Sequence, residues 1–305
     1  MTCRLPCEPL VIAVTPRALF DLREAPGPDG RPASAHTLHA DDRTPLRPGS
    51  VFALVRKLLA LNTGVQQRVE IVLVSDDSAD AGLRVLHSLD HHGLPVARAA
   101  FASGAPCHRY AAALGARLFL STDGDDVRLA LGHGMAAATV IEGAAGEPGD
   151  GIVRIAFDGD AVLFSDEAEQ VYARSGLEAF IDSERRMRHL PLAPGPFYPL
   201  LAQLHRLQTL YGRDDRPVRT ALVTARSVAA HERALRTLRT WNLGVDDAVF
   251  LAGADKGPAL RSFGADIFFD DQQHNCDHAA AFVPCAHVPY GVKNRPERAP
   301  LRRVA

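Results

Sequence analysis

Residues 155–166 read Ile155-Ala-Phe-Asp-Gly-Asp-Ala-Val-Leu-Phe-Ser-Asp166, a short apolar run that stops on two aspartates separated by one glycine. A run of this length, apolar throughout and closed by turn residues, is the pattern of a strand buried on both faces. Its strand is expected over Ile152–Phe157, and five further runs match it: Leu10–Val14, Ile71–Ser75, Leu118–Ser121, Thr220–Thr224 and Ile267–Asp271. Several end in Ser, Thr or Asp. Between them lie helical patterns such as His231–Trp241 (HERALRTLRTW), with Leu235 and Leu238 three apart among charged residues. Strands alternating with amphipathic helices predict an α/β fold built on a mostly parallel sheet. Ligands of such sheets bind beyond the carboxyl ends of the strands, where these polar residues fall.

The chain has 305 residues, enough for two compact units or one large α/β unit, and is 47% hydrophobic, enough to fill a substantial core. Lys and Arg (34) nearly balance Asp and Glu (36), which argues against a nucleic-acid-binding protein. No apolar run reaches the roughly 18 residues of a membrane helix, and the first residues lack a secretory pattern. The five cysteines, Cys3, Cys7, Cys107, Cys276 and Cys285, are odd in number and scattered, as expected of reduced thiols in a cytoplasmic protein. Loops are expected over Arg23–Ser50 and Gly143–Gly151, and a solvated basic tail from Lys293.

The chain also repeats itself. Val72–Thr122 aligns with Ala221–Asp271 across 51 positions without a gap, with identities that include Leu73/Leu222, Arg84/Arg233, Phe101/Phe250, Gly104/Gly253 and Gly115/Gly264. A shorter echo joins Ile12–Ala18 (IAVTPRA) to Ile155–Ala161 (IAFDGDA). A duplicated α/β unit is expected, with a first half over 1–150, a second over 151–292 and the tail over 293–305. The halves differ where chemistry is expected. Asp158 and Asp160 align with Thr15 and Arg17, Lys256 with Cys107, and Asp270 and Asp271 with Ser121 and Thr122. The carboxylates and the lysine are therefore not needed to build the fold, and the second half is expected to be the working one.

A carboxylate at a strand end, Asp158, can attack phosphorus as a nucleophile, and a second two residues on, Asp160, can protonate the leaving oxygen and later deprotonate water. Gly159 between them permits a tight turn. Two close carboxylates call for a divalent cation, and Mg²⁺ suits an all-oxygen site. Thr224 ends another strand and offers a hydroxyl to a phosphoryl oxygen. Lys256, in Gly253-Ala-Asp-Lys-Gly-Pro258, offers a cation, and Asp270-Asp271 offers outer metal ligands.

In that order, D-x-D, Thr, Lys and D-D, these residues resemble the four motifs of the haloacid-dehalogenase superfamily of phosphotransferases. FDGDAVLFSDE, LVTARS, LRTLRTWNLGVDDAVFLAGADKGP, FFDDQ, HVPYGV and RALFDL resemble, more closely, the cytosolic 5′-nucleotidase type I family over most of the chain. Arg23–Ser50 and both termini fall outside the likeness. The resemblance implies a Rossmann-like haloacid-dehalogenase fold with a small helical cap over about 165–216 and a degenerate N-terminal copy. It implies Asp158 as the nucleophile of an aspartyl-phosphate and Asp160 as acid/base and, through its carbonyl, a Mg²⁺ ligand. Thr224 and Lys256 would hold the phosphoryl, and Asp270 and Asp271 would complete the metal shell. The implied substrates are nucleoside 5′-monophosphates, with AMP, deoxy- and pyrimidine nucleotides all open, and a second nucleotide could act as effector.

Arg226 and Ser227 could reach the phosphate or sugar, or Arg226 could form a surface ion pair. Phe164, Tyr172, Phe180, Phe197, Tyr198 and Tyr211 in or beside the cap could stack on a base or fill its core. His274-Asn-Cys276-Asp-His278 reads as a polar helix start rather than a metal cluster. The silent half could bind an effector or build a homo-oligomer surface, with no polymeric nucleic acid or membrane as partner. Alternative functions are a phosphatase of another small phosphomonoester and a nucleotide-binding regulator.

Overall fold

In the computed structural model, each of the six apolar runs forms a strand of one sheet, because each can be covered on both faces by the helices that follow it. The structure describes residues 8–22, 44–64, 66–143, 149–212, 215–227 and 230–295. Cys3, Cys7, most of the Arg23–Ser50 stretch, the middle of Gly143–Gly151 and the tail beyond Arg295 lie outside the described residues.

The first half runs β1 (Leu10–Val14), α1 (Pro16–Leu19), β2 (Phe20–Asp21), β3 (Arg47–Pro48), α2 (Phe52–Ala60), β4 (Val69–Ser75), α3 (Ala79–His91), β5 (Arg98–Phe101), α4 (Cys107–Ala113), β6 (Leu118–Ser121), α5 (Gly124–Gly132) and β7 (Ala136–Val140). The second runs β8 (Val153–Phe157), α6 (Glu167–Arg186), α7 (Tyr198–Gln208), β9 (Val218–Thr224), α8 (His231–Thr240), β10 (Asp247–Phe250), α9 (Gly257–Phe263), β11 (Ile267–Asp270), α10 (Gln273–Ala279) and β12 (Cys285–His287). Strands β2 and β3 form a separate antiparallel ribbon.

The main sheet has ten strands in the order β10-β9-β8-β11-β12-β7-β6-β1-β4-β5. Read outward from its centre, each half gives the same arrangement. Strands β4, β5 and β6 begin and end 149 residues before β9, β10 and β11. Turns repeat too: Ser103 and Gly104 have φ of 47° and 90°, Ala252 and Gly253 50° and 87°. Every pair in the main sheet is parallel except β7 with β12, where Ala286 faces Val140 and His287 faces Thr139. The two sets of strands therefore run in opposite directions, and their carboxyl ends lie on opposite edges of the sheet.

A buried ion pair ties the halves together. Lys57 Nζ on α2 lies 2.6 Å from Asp266 Oδ1, just before β11, and donates to the Ile152 carbonyl at 3.2 Å. Asp266 Oδ2 in turn accepts the Arg154 N–H at 2.8 Å.

Two helices depart from expectation. Helix α8 buries Arg233, Ala234, Thr237 and Leu238, whereas Leu235 is 38% exposed, so the apolar stripe is narrower than the two leucines suggest. Of the 165–216 segment, α7 packs on β9 as α2 packs on β4, through buried Leu200, Leu201, Leu204 and Leu207. It is part of the helical layer, whereas α6 lines a cavity with Asp158 and Thr224 at the ends of β8 and β9. Helix α6 is interrupted at Gly176, whose φ of 78° and ψ of −175° no other residue type adopts easily.

Candidate active site

Asp158 follows β8 directly, and its N–H donates to the Phe269 carbonyl of β11 at 2.8 Å, which continues the ladder one residue past the strand. Its carboxylate is thereby fixed at the strand end and is 4% exposed. The chain then turns through Gly159–Leu163. The left-handed residue of this turn is Ala161, with φ of 58°, and not Gly159. A Cβ on Gly159 would meet Leu222 and Phe164 at 3.5 Å, ordinary contact, so the turn does not require glycine there. This corrects the expected role of Gly159, which also does not line the cavity.

Lys256 precedes α9 and is 4% exposed; its ammonium donates to Asp158 Oδ1 at 2.7 Å and to Asp270 Oδ2 at 2.6 Å. Burial pulls the Lys256 pKa down, but the charges of Asp158 and Asp270 outweigh it, and the net direction is upward. Asp270 also accepts from the Gln272 N–H at 2.8 Å and from Asn275 Nδ2 at 3.1 and 3.2 Å. Asp271 is different. It is 1% exposed, and among the described residues no donor reaches either of its oxygens. Oε2 of nearby Glu169 is orphaned in the same way. Burial, then the charges of Asp158, Glu169 and Asp270, push the Asp271 carboxyl up to about 10. Burial is also the main reason that Asp158 is raised to about 7, against the pull of Lys256.

Asp158, Asp270 and Asp271 offer oxygens that all lie within 4.8 Å of one another and could hold a metal ion. Lys256 serves two of the three buried carboxylates, and a cation would satisfy the two oxygens of Asp271 that no donor among the described residues reaches. The all-carboxylate donor set fits a hard divalent ion.

A cavity of 460 Å³ opens above Asp158, lined by Asp160, Thr224, Arg226 and Ser227 on one side and by Tyr172, Leu177, Phe180 and Ile181 of α6 on another. Thr224 ends β9 and is 1% exposed; its Oγ1 accepts the Arg226 N–H at 3.2 Å. Asp160 is clasped by Arg226, whose Nε and Nη2 donate to its two oxygens at 2.8 and 2.6 Å. The Arg226 guanidinium also pairs with Glu184 and is only 2% exposed. The alternative of a surface ion pair is corrected: Arg226 is paired, but the pair is buried and holds Asp160.

Of the six aromatic candidates, Tyr172 and Phe180 line the cavity, meeting edge to face at 6.3 Å. Phe164 and Tyr198 pack on Trp241, Phe197 on Phe157 and Phe269, and Tyr211 against Arg68. His274 and Asn275 sit in the first turn of α10 and reach the cavity rim, while Cys276 is buried in the core beside Cys285. Glu169, Asn275 and Lys293 were not singled out from the sequence. Lys293 Nζ lies 3.2 Å from Glu169 Oε1 and donates to Gln272 Oε1 at 3.1 Å, so the start of the expected tail is a wall of the site.

A parallel sheet with a lysine-bridged carboxylate cluster at its strand ends, roofed by one broken helix, defines an α/β protein with a small-ligand site of enzyme type. Residues 3–295 match the 5′-nucleotidase family, and the chain belongs to it. Cytosolic 5′-nucleotidase 1B of Homo sapiens is 36% identical over 290 residues, which cover 90% of this chain and 48% of that protein. The chain thus spans about half the length of the curated relative it matches. Among solved structures, histidinol dehydrogenase from Elizabethkingia anophelis aligns at 9% identity and a TM-score of 0.24, over 91% of this chain and 52% of that one, too distant to bear on the fold. Among the described residues no helix is long and apolar enough to cross a membrane.

Proposed function

We propose that the chain is a metal-dependent 5′-nucleotidase that converts nucleoside 5′-monophosphates to nucleoside and phosphate. The observation that carries this reading is Asp158, held from behind by the buried Lys256, lining a cavity that Leu177, Phe180 and Ile181 also line. The polar lining suits a phosphate and the apolar lining a nucleoside. In the first step an Asp158 oxygen attacks phosphorus. The bond from phosphorus to the 5′ oxygen breaks, its electron pair stays on that oxygen, and Asp160 supplies the proton. In the second step water gives a proton to Asp160 while its oxygen attacks phosphorus, which breaks the aspartyl-phosphate and frees phosphate. Lys256 remains charged and steadies both the nucleophile and the phosphoryl oxygens, to which Thr224 donates its hydroxyl. Ser227 faces the same space and suits the phosphate or sugar.

Mg²⁺ would be held by Asp158, Asp270 and Asp271 with the carbonyl of Asp160, and when bound it supplies positive charge that offsets the carboxylates and polarises the phosphoryl oxygens. The unpartnered oxygens of Asp271 support this ion. The order of Asp158, Thr224, Lys256 and Asp270-Asp271 along β8, β9, α9 and β11 supports a haloacid-dehalogenase-like fold whose first half is a silent copy. The relative's name describes a cytosolic protein, and the free, buried Cys107, Cys276 and Cys285 support the same compartment here.

Phosphate release measured across nucleoside monophosphates and sugar phosphates, with Mg²⁺ and after chelation, tests the reading. Mg²⁺-dependent release from nucleoside 5′-monophosphates is expected. Release from non-nucleotide monoesters alone would favour a different phosphatase, and tight nucleotide binding without turnover would favour a regulator.

A further inference from the structure

One network of buried charges that this chemistry leaves unused lies behind Asp160. Glu184, near the end of α6, has a side chain 1% exposed and accepts from two guanidinium groups, Arg226 through Nη1 and Arg233 through Nη1 at 2.8 Å. Arg233 is anchored in turn by Glu167 at 2.5 Å and by the Leu190 carbonyl at 2.9 Å. A guanidinium is planar and donates along fixed edges, so the partner on one edge sets the direction of the others. Here Glu184 takes the Nη1 corner of Arg226, which leaves the Nε–Nη2 edge to meet both oxygens of Asp160. Removing water from so many charges costs several kcal/mol per ion, and such groups earn a place through geometry more than stability.

We propose that Glu184 is a positioning residue for phosphoryl transfer. By fixing the plane of Arg226 it aims Asp160 at the leaving 5′ oxygen, so the seating of α6 over the cavity is coupled to proton delivery. The inference rests on the hydrolase reading above. It requires that loss of the Glu184 charge harm the step in which Asp160 gives up its proton more than it harms binding.

The test compares AMP, or the nucleoside monophosphate that turns over fastest, with its analogue carrying sulfur in place of the bridging 5′ oxygen. The sulfur leaves as a thiolate and needs no proton. In Glu184→Gln, kcat/KM is expected to fall about tenfold or more for the oxygen ester and less than about threefold for the sulfur ester. Glu184→Asp should restore part of the difference. Glu167→Gln, which removes a half-exposed partner of Arg233 and leaves Arg226 untouched, should keep the ratio of the two substrates unchanged. An equal fall for both esters, or none for either, would overturn the proposal. Should Glu184→Gln fail to fold, the double variant Glu184→Gln with Arg233→Met removes one acid and one base together, leaves no excess buried charge, and carries the same comparison. A wild-type chain inactive on every nucleoside monophosphate would instead sink the hydrolase reading, and this inference with it.

Discussion

The two halves of the sheet carry the same backbone and opposite chemistry. At the carboxyl end of β4 the Asp77 N–H donates to Ser75 Oγ at 3.1 Å; at β9 the Arg226 N–H donates to Thr224 Oγ1 at 3.2 Å. Thr15 N–H reaches the Leu120 carbonyl at 3.0 Å, as Asp158 N–H reaches that of Phe269 at 2.8 Å. A cavity of 350 Å³ opens there too, lined by Thr15, Arg17, Asp77, Cys107, Ser121 and Thr122 among others. Where the second half has an acid the first has a hydroxyl or Arg17. Where the second has Arg226 and Lys256 the first has Asp77 and Cys107. The first half builds the same strand ends with hydroxyls or Arg17 at the four acid positions, so the fold does not require the carboxylates and lysine of the second half, and a ligand would account for them.

The sharpest way to break this contrast is to remove the matched first residues. Asp158→Asn should lower phosphate release by at least about a thousandfold, because the amide cannot form the ester with phosphorus. Thr15→Ala should leave it within about twofold. A steady-state assay on both variants decides, and comparable losses would show that both edges of the sheet take part in turnover.

The second matched pair is expected to separate less widely. On the proposed mechanism, Lys256→Ala removes one cation from the phosphoryl group and should cost about a hundred- to a thousandfold in kcat. Cys107→Ala removes a thiol that burial, followed by the charges of Asp126 and its neighbours, pushes up to about 12. A thiol so rarely ionised at neutral pH is a weak nucleophile, and activity should be unchanged. Loss of activity in Cys107→Ala, measured on folded protein, would give the first half a chemical role.

Stability against pH sharpens the comparison further. The Asp271 carboxyl is raised to about 10 and that of Asp158 to about 7, so the folded protein binds more protons than the unfolded chain above the ordinary carboxylate range. Their contribution is complete below about pH 4 and is lost as pH rises toward those values, at up to about 1.4 kcal/mol per group and pH unit. Chelated protein should therefore melt at progressively lower temperature from pH 5 to pH 9. Divalent cation should flatten the profile, and hydrogen exchange should place the loosening around β8 and β11 and not around β1 and β6. A profile that is flat without metal would contradict the placement of these buried carboxylates in the second half.

How much of this was legible depended on how each residue is held. The six strands read from the sequence are buried on both faces and leave continuous apolar runs. Strands β5 (RAAF) and β10 (DAVF) lie at the sheet edges and are only half-buried, β7 (AAATV) is mostly alanine and β12 (CAH) is three residues long and ends on a histidine, so none gave that signal. Asp158, Thr224, Lys256, Asp270 and Asp271 were legible because each sits at a strand or helix end. Glu184 was not. It stands beside Arg185 and Arg186, a run that reads as a solvated face, and its partner Arg226 is 42 residues away. Glu169 and Lys293 reach the cavity from a helix and a C-terminal segment that only the folded chain brings together.

The smallest expected effect concerns binding alone. A nucleotide effector in the first half would need cations for its phosphates, and that cavity offers Asp76, Asp77, Asp123, Asp125 and Asp126 against Arg17. One of these acids is engaged by His108 at 2.5 Å and another by Arg128 at 2.7 Å, yet the remaining field still repels an anion. Calorimetric titration of AMP or ADP into the Asp158→Asn protein with Mg²⁺ should thus fit one site per chain. Changing Asp77 to Asn should leave that stoichiometry and affinity unchanged, because the bound nucleotide lies on the opposite edge of the sheet. Two sites per chain, with the second lost on substituting Arg17, would mean that one arginine suffices to hold a phosphate among these acids. The silent half would then be a regulatory one.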